Sequence, residues 1–348
     1  MSRMARILGL ATLLLWPAIA LAQDFPNHPI RFIVPFPAGG PSDVISRVLT
    51  DKMSSMLGQP VVIENRAGAG GLIGINSVAK SAPDGYTIAI APSSQLAMNV
   101  TLRDDMPFHP MKDLALLTQI VSVPEILVVS PSVPAKSLSE LVALAKARPG
   151  KLTFASTGPG GMPHMAMELL KHTAGMELVH APYTGAAPAV NDLLGGHVQL
   201  MFADVPVLMG SIKAGSLRAL AIGSPQRIAI LPDVPTTAEL GMPKVEADNW
   251  YGLVAPAATP KPILDKLYAT ASEALHSPEV KDKLSAQGVI AVGNSSADFR
   301  AYVQREIDLM LEYRLREALA PSALQVQDDS HLHAGHAGAR EGRHFTVR

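Results

Sequence analysis

The chain has 348 residues, of which 48% are hydrophobic and 17% are charged, a composition typical of a globular protein of about two domains. Its formal net charge of -1 at pH 7 gives no electrostatic reason to expect a nucleic-acid partner, and no basic amphipathic run favours an anionic membrane surface. Because the chain has no cysteine, disulfides and a cysteine-linked lipid anchor are excluded. These features favour a small ligand.

The first residues have the pattern of an export signal. Arg3 and Arg6 supply positive charge, residues 7–16 are apolar, and Ala-Leu-Ala at residues 20–22 offers small side chains for cleavage. An uncleaved membrane anchor is the alternative, but the apolar run is short for a bilayer span. We therefore expect residues 1–22 to be a signal peptide, and the mature protein to be soluble in the periplasm.

The first strand of the mature chain, residues 30–34, leads directly into a glycine-containing turn and a helix. Gly39 and Gly40 allow a tight turn, and Ser42 or Asp43 is able to cap the helix. The first N–H groups of a helix have no partners within it and carry partial positive charge, so this junction predicts an anion site. The alternative is a strand-to-helix turn that binds nothing.

Short β-branched runs recur along the chain and alternate with segments of helical period. After the first strand, the predicted strands are residues 61–63, 87–91, 126–129, 152–155, 198–202, 217–222 and 251–254. Strands that alternate with helices form crossover units and mostly parallel sheets, so we expect an α/β protein.

Loops of small residues follow three of these strands and precede helices, at residues 38–43, 156–163 and 183–188. A fourth loop at residues 92–95 adds hydroxyl groups and an amide, and none of the four contains Arg or Lys. Ligands of open α/β sheets bind beyond the carboxyl ends of strands, near helix N-termini. We therefore expect these loops to converge on one small anion.

The order of seven sequence blocks resembles the Bug family, the extracytoplasmic solute receptors of tripartite tricarboxylate transporters. The resemblance covers about residues 24–308. The blocks are PFPAGG at 35–40, ENRAGAGG at 64–71, APDGYT at 82–87, PYTG at 182–185, NDLLGG at 191–196, LPDVPT at 231–236 and VAPA at 254–257.

This resemblance implies a type II periplasmic binding protein fold, in which two α/β lobes enclose a ligand cleft and are joined by two crossing strands. The crossings are expected near residues 121–127 and 222–226. Lobe 1 is then discontinuous, with residues 23–123 and 225–309, and lobe 2 comprises residues 124–224.

The implied function is capture of a small carboxylated solute for the membrane subunits of a transporter. The family holds a solute carboxylate mainly by backbone N–H groups and water, and we expect a monomer with no cofactor, metal or catalytic residue. Asp43 and Asp204 each have an alternative role as a helix cap. Carried over by position, the ligand site comprises Ala38, Gly39, Gly40, Ser42, Asp43, Ser93, Ser94, Ser156, Thr157, Gly161, His164, Tyr183, Thr184, Gly185, Ala186 and Asp204.

Three other functions are weaker alternatives. The glycines of residues 68–74 are one position out of register for a dinucleotide fingerprint. A serine hydrolase would use Ser156 or Ser93, but Ser156 and His164 lack an evident orienting carboxylate. A periplasmic sensor would use the same cleft with a signalling partner in place of a transporter.

The pattern changes from about residue 310. Residues 310–319 continue a helix begun near Ala297, and the segment 310–348 resembles the truncated start of a BolA family protein. We expect a foreign or truncated tail. Three histidines within it suggest a metal cluster, but a truncated module lacks the core needed to fix their geometry. These are His331, His333 and His336.

Overall fold

The computed structural model describes residues 25–318, 326–328 and 345–347. The strands are β1 (Ile30–Val34), β2 (Val61–Asn65), β3 (Thr87–Pro92), β4 (Leu114–Val129), β5 (Thr153–Ser156), β6 (Val179–Pro182), β7 (Leu200–Asp204), β8 (Arg218–Ile222), β9 (Asp248–Pro256), β10 (Ile290–Ala291), β11 (Val326–Asp328) and β12 (Phe345–Val347). The helices are α1 (Pro41–Leu57), α2 (Leu72–Ala79), α3 (Asn99–Leu102), α4 (Pro110–Asp113), α5 (Leu138–Ala147), α6 (Met162–Ala174), α7 (Ala186–Leu194), α8 (Val205–Lys213), α9 (Lys261–His276), α10 (Pro278–Ser285) and α11 (Ser296–Ala318).

Within this part of the chain, β1 to β10 form a single ten-stranded sheet. Its main order is β2-β1-β3-β9-β4-β7-β5-β6, and β8 and β10 also pair with β4. The outer strands pair in parallel, as expected. The pairs that involve β4 or β9 are antiparallel, so the sheet is mixed and not mostly parallel. The difference arises because β4 and β9 pass through the middle of the sheet in opposite directions.

Each half of the sheet is covered by helices on both faces, which gives two α/β lobes. In the first lobe α1, α9 and α10 pack on one face and α2 and α11 on the other. In the second lobe α5 and α6 cover one face and α7 and α8 the other. Each helix turns an apolar stripe to the sheet, the arrangement that buries most apolar area in such a layered fold.

The sheet passes between the lobes at two adjacent points. β4 pairs with β9 up to Pro124 and with β7 from Glu125 onward. The Glu125 N–H donates to Ala247 O at 2.9 Å, and the segment before Ala247 packs on the second lobe. We therefore place the lobe limits at 25–124 with 248–311, and at 125–247. Crossings were expected from the sequence near residues 121–127 and 222–226; we propose that they lie at residues 124–125 and 247–248.

The ends of the chain bear on two further predictions. The predicted signal peptide and the three tail histidines lie outside the described residues. The predicted C-terminal helix is present as α11, and β11 pairs antiparallel with β12. Across the described ranges, no helix has both the length and the apolar character to span a bilayer.

Candidate functional site

The first wall of the candidate site is the junction between β1 and α1. Gly40 is the N-cap of α1 and Pro41 occupies its first turn. Pro is favoured there because it needs no N–H partner and its backbone is already helical. Ser42 is buried, and its Oγ makes no hydrogen bond of good geometry with any described residue, although the Tyr251 hydroxyl lies nearby. The start of α1 therefore presents a polar surface to the space between the lobes.

Asp43 holds this junction in place. Its Oδ2 accepts the Gly39 N–H at 3.0 Å and the Arg47 Nε–H at 2.9 Å, and its Oδ1 accepts Asn65 Nδ2 at 3.2 Å. Burial raises the pKa of Asp43, but these three hydrogen bonds outweigh burial and keep the pKa below its ordinary value. Asp43 thus fixes the loop that precedes α1, and it is not the N-cap.

The second wall is formed by the starts of α6 and α7. Gly161 is the N-cap of α6, and Gly185 is the N-cap of α7. Thr157 precedes α6, and Ala186 is the first residue of α7. Both helices therefore direct their positive ends at the same space as α1, from the opposite lobe.

A cavity of about 30 Å³ lies between the two walls. Such a volume holds about one or two water molecules, so the lobes are in a closed arrangement. None of the described residues that line it is Arg, Lys or His. The lining residues are Phe36, Pro41, Ser42, Pro92, Ser94, Thr157, Met162, Pro163, Ala186, Ala203, Asp204, Asn249 and Tyr251.

The floor of the cavity is a buried polar network centred on Asp204. Asn249 Nδ2 donates to Asp204 Oδ1 at 3.1 Å, and the Tyr251 hydroxyl donates a short hydrogen bond to Oδ2. Ser93 Oγ donates to Asn249 Oδ1 at 2.8 Å. Burial raises the pKa of Asp204 to about 6, although the donors Tyr251 and Asn249 oppose that rise.

Glu125 lies behind this floor, directly opposite Asp204 in the pairing of β4 with β7. It is fully buried, and no N–H or O–H group of the described residues donates to either carboxyl oxygen. Burial, and next the negative charge of Asp204, raise the pKa of Glu125 well above its ordinary value.

Glycines of the second lobe lie in close contact with the first lobe. A Cβ added at Gly185 would lie 2.8 Å from Pro37 Cδ, and one added at Gly160 would lie 2.5 Å from Asn99 Oδ1. Gly158 approaches the backbone of Gly70. Glycines of the second lobe therefore allow the first lobe to come this close.

The scan of protein families identifies residues 45–312 as "Tripartite tricarboxylate transporter family receptor". The chain belongs to this receptor family. It is 40% identical to Protein BugT of Bordetella pertussis over 309 residues, which cover 88% of this chain and 95% of BugT. A second family model, "BolA-like protein", matches residues 315–348.

Two solved structures share the fold along nearly their whole length. An R. palustris protein solved with adipate has a TM-score of 0.81 and 32% identity, covering 84% of this receptor and 97% of that chain. MatC from Rhodopseudomonas palustris with bound malate has a TM-score of 0.79 and 31% identity, covering 83% of this receptor and 99% of that chain. The predicted Bug resemblance and the type II periplasmic binding fold are confirmed, and the protein is a solute-binding receptor.

The structure brings some of the predicted site residues to the cavity of this receptor. Five of them line it, and Gly40, Gly161 and Gly185 cap the helices that point at it. Ser93 lies in the floor network, whereas Ala38 and Gly39 are exposed in the first loop. The five lining residues are Ser42, Ser94, Thr157, Ala186 and Asp204.

Other predicted residues have partners away from the cavity. Ser156 Oγ is hydrogen-bonded to His180 Nε2 at 2.7 Å, and His164 stacks on His180 with ring centroids 4.2 Å apart. Burial lowers the pKa of His180 to about 4. The Tyr183 hydroxyl donates to Asp192 Oδ2 at 2.6 Å, and Thr184 is exposed and does not line the cavity. These side chains shape the second lobe behind its wall.

Sequence patterns missed Asn249 and Tyr251, which the second crossing strand carries to the cavity floor. They lie next to an aromatic residue in an apolar strand, and no motif marks them. Their role depends on the register of β9 against β4, which places them at the lobe boundary beside Asp204 of the second lobe. The polar pair Asp248 and Asn249 at the start of an otherwise largely apolar strand was the one available signal.

Proposed function

We propose that this receptor binds a small carboxylated solute in the cleft between its lobes and delivers it to the membrane subunits of a tripartite tricarboxylate-type transporter. Removal of residues 1–22 would release it into the periplasm, where members of its family act. The two solved relatives, one with adipate and the other with bound malate, support the choice of a carboxylate.

The observation that carries this proposal is the meeting of three helix N-termini at one cavity. The first turns of α1, α6 and α7 all contribute to its lining. Each N-terminus carries about half a positive charge and favours a nearby anion by about 0.3–1 kcal/mol, or about 2 kcal/mol in a partly buried site. Because the described lining residues include no cationic side chain, these dipoles and first-turn N–H groups are the donors for a carboxylate.

Entry of the solute requires the lobes to separate. The closed cavity has space for about one or two water molecules, while even a two-carbon acid needs more. The crossing strands at Pro124–Glu125 and Ala247–Asp248 are the points about which the lobes would move. We propose a cycle in which the solute binds to an open form and the paired walls close over its carboxylate.

Thermal shift and calorimetry on the exported, purified protein test this function. The ligand panel contains succinate, malate, adipate, citrate, benzoate and nicotinate, together with the amide of each acid as a matched uncharged control. We expect at least one acid to raise the melting temperature while its amide does not, since an acid at 100 times its Kd stabilises by about 2.7 kcal/mol. Equal stabilisation by an acid and its amide would contradict recognition of the carboxylate.

A further inference from the structure

The acceptor capacity of Asp204 exceeds the hydrogen bonds that the protein supplies. An ionised carboxylate offers about four lone-pair sites. Asn249 Nδ2 and the Tyr251 hydroxyl donate to it, a protonated Glu125 would be a third donor, and Asp204 also lines the cavity. The negative charge of Asp204 would repel an anionic solute in this desolvated space. Its presence at the cavity floor must therefore be offset by another interaction with the solute.

Glu125 explains how this floor is limited to one negative charge. With both carboxyls ionised, Glu125 would be a buried charge without a donor, which is very costly. A proton on Glu125 removes that charge and lets its carboxyl donate to Asp204. The raised pKa of Glu125, caused by burial and by the neighbouring Asp204, agrees with this assignment. Asp204 then keeps the single charge of the pair.

Ser42 gives an independent indication of a ligand here. Its side chain is 1% exposed, lines the same cavity from the first lobe, and makes no hydrogen bond of good geometry with the described residues. A buried hydroxyl is normally paired. The nearby Tyr251 hydroxyl uses its proton for Asp204, so the Ser42 oxygen keeps acceptor capacity for a group inside the cleft. A solute between the two residues could donate to or accept from the Ser42 hydroxyl, and it could donate to the Asp204 carboxylate.

We propose that Asp204 is the specificity-determining residue of the cleft, and that it selects carboxylic acids bearing a hydroxyl or ammonium group that donates a hydrogen bond to it. Glu125 is a positioning residue that acts through Asp204. This inference rests on the proposed function. It specifies the chemical group that the solute carries away from the carboxylate bound at the helix N-termini. An acid without such a donor displaces water from Asp204 and leaves part of its acceptor capacity unused, so it binds more weakly.

Calorimetry with two matched series of ligands tests this assignment. The first series is succinate, malate and aspartate, and the second is 3-phenylpropionate, 3-phenyllactate and phenylalanine, which differ within each series only at carbon 2. In the series that binds, we expect the hydroxyl and ammonium members to bind at least about tenfold more tightly than the parent acid. Asp204→Asn is expected to remove that preference. Asp248→Asn, which removes a nearby charge that does not line the cleft, is expected to keep it.

Glu125→Gln separates the positioning role from simple packing. A Gln amide can still donate to Asp204, so we expect the variant to keep the preference for the donor-bearing acid. If the variant instead binds the parent acid at least tenfold more tightly than the wild type does, Glu125 is ionised in the protein and the proton assignment is wrong.

The outcomes also distinguish this inference from the proposed function. If acids of a series bind equally well, or if Asp204→Asn keeps the preference, the specificity role is overturned while carboxylate binding stands. If no acid of either series or of the wider panel binds the wild type, the proposed function itself fails and the specificity role falls with it.

Discussion

Glu125 lies directly opposite Asp204 where β4 pairs with β7, so carboxyl groups from two strands meet beneath the cleft. Both are buried, and they lie where β4 passes from one lobe to the other. Directly opposed residues of antiparallel strands hold their Cβ atoms about 5 Å apart. Two ionised carboxyls at that separation without a cation destabilise a fold, so the protonation of this pair links ligand recognition to stability.

Glu125→Gln is expected to change how stability depends on pH. The raised pKa of Glu125 means that the folded protein holds a proton which the unfolded chain loses above about pH 4.5, so the wild-type free energy of unfolding falls as pH rises. Gln does not titrate. The stability of the variant relative to wild type should therefore increase by about 1.4 kcal/mol per pH unit above that point, until the folded pKa is reached.

Urea denaturation of both proteins at pH 5, 6, 7 and 8 measures this difference. A difference that stays constant over the range would mean that Glu125 has an ordinary pKa in the folded state. Because Glu125 and Asp204 shift each other's pKa, the difference between the two proteins reports the titration of the pair.

Ala186→Pro is expected to weaken solute binding by about 10-fold to 100-fold. Proline fits the first position of α7 because Gly185 has an extended backbone, but it removes a first-turn N–H from a residue that lines the cavity. A lost hydrogen bond to a charged group costs about 1.5–3 kcal/mol. Ala186→Val, which adds similar bulk and keeps the N–H, is the control. Calorimetry that finds equal losses for both variants would attribute the effect to bulk.

Gly185→Ala is expected to disfavour the closed arrangement. The added Cβ would lie 2.8 Å from Pro37 Cδ across the cleft, and overpacking of this kind costs about 1–3 kcal/mol. Each lobe should remain folded, so the melting temperature without ligand changes little while affinity falls about 5-fold to 150-fold. Gly210→Ala, where an added Cβ meets nothing within 4 Å, is the control. Small-angle scattering that shows the same ligand-induced compaction in Gly185→Ala as in wild type would contradict this role.

Asp43→Ala is expected to destabilise the first wall by about 1–3 kcal/mol, because the Gly39 N–H and Asn65 Nδ2 lose their shared acceptor. Arg47→Ala removes the cation of the same ion pair, but the Arg47 side chain is largely exposed and the expected loss is at most about 1 kcal/mol. Urea denaturation compares the two. Equal losses would show that the ion pair, and not the loop hydrogen bonds, is the main contribution of Asp43.

Local patterns were sufficient to predict the α/β class and the helix N-termini of the site. A glycine with a proline one or two residues later marks the starts of α1 and α6, because glycine permits the turn and proline is tolerated in the first helical turn. The strand at residues 30–34 was predicted at its observed bounds. Such features depend on a few neighbouring residues, so the sequence carries them directly.

The floor of the site was predicted only in part, because it is assembled from distant segments. Asp204 was identified, but its partners Asn249 and Tyr251 come from β9, and Glu125 from β4. Which side chains meet there depends on strand register across both lobes, and a shift of one residue would turn each to the other face. The position of the second crossing likewise depends on tertiary packing, which holds the segment before Ala247 to the second lobe.

Because β4 is continuous, the two lobes depend on each other for folding. One strand contributes residues to the apolar cores of both lobes, Leu117 to the first and Leu127 to the second. Removal of either lobe would take away a central strand of the other and expose its edge. The two halves are therefore expected to unfold as one cooperative unit, and a proteolytic cut within β4 would destroy the whole molecule without releasing a folded half.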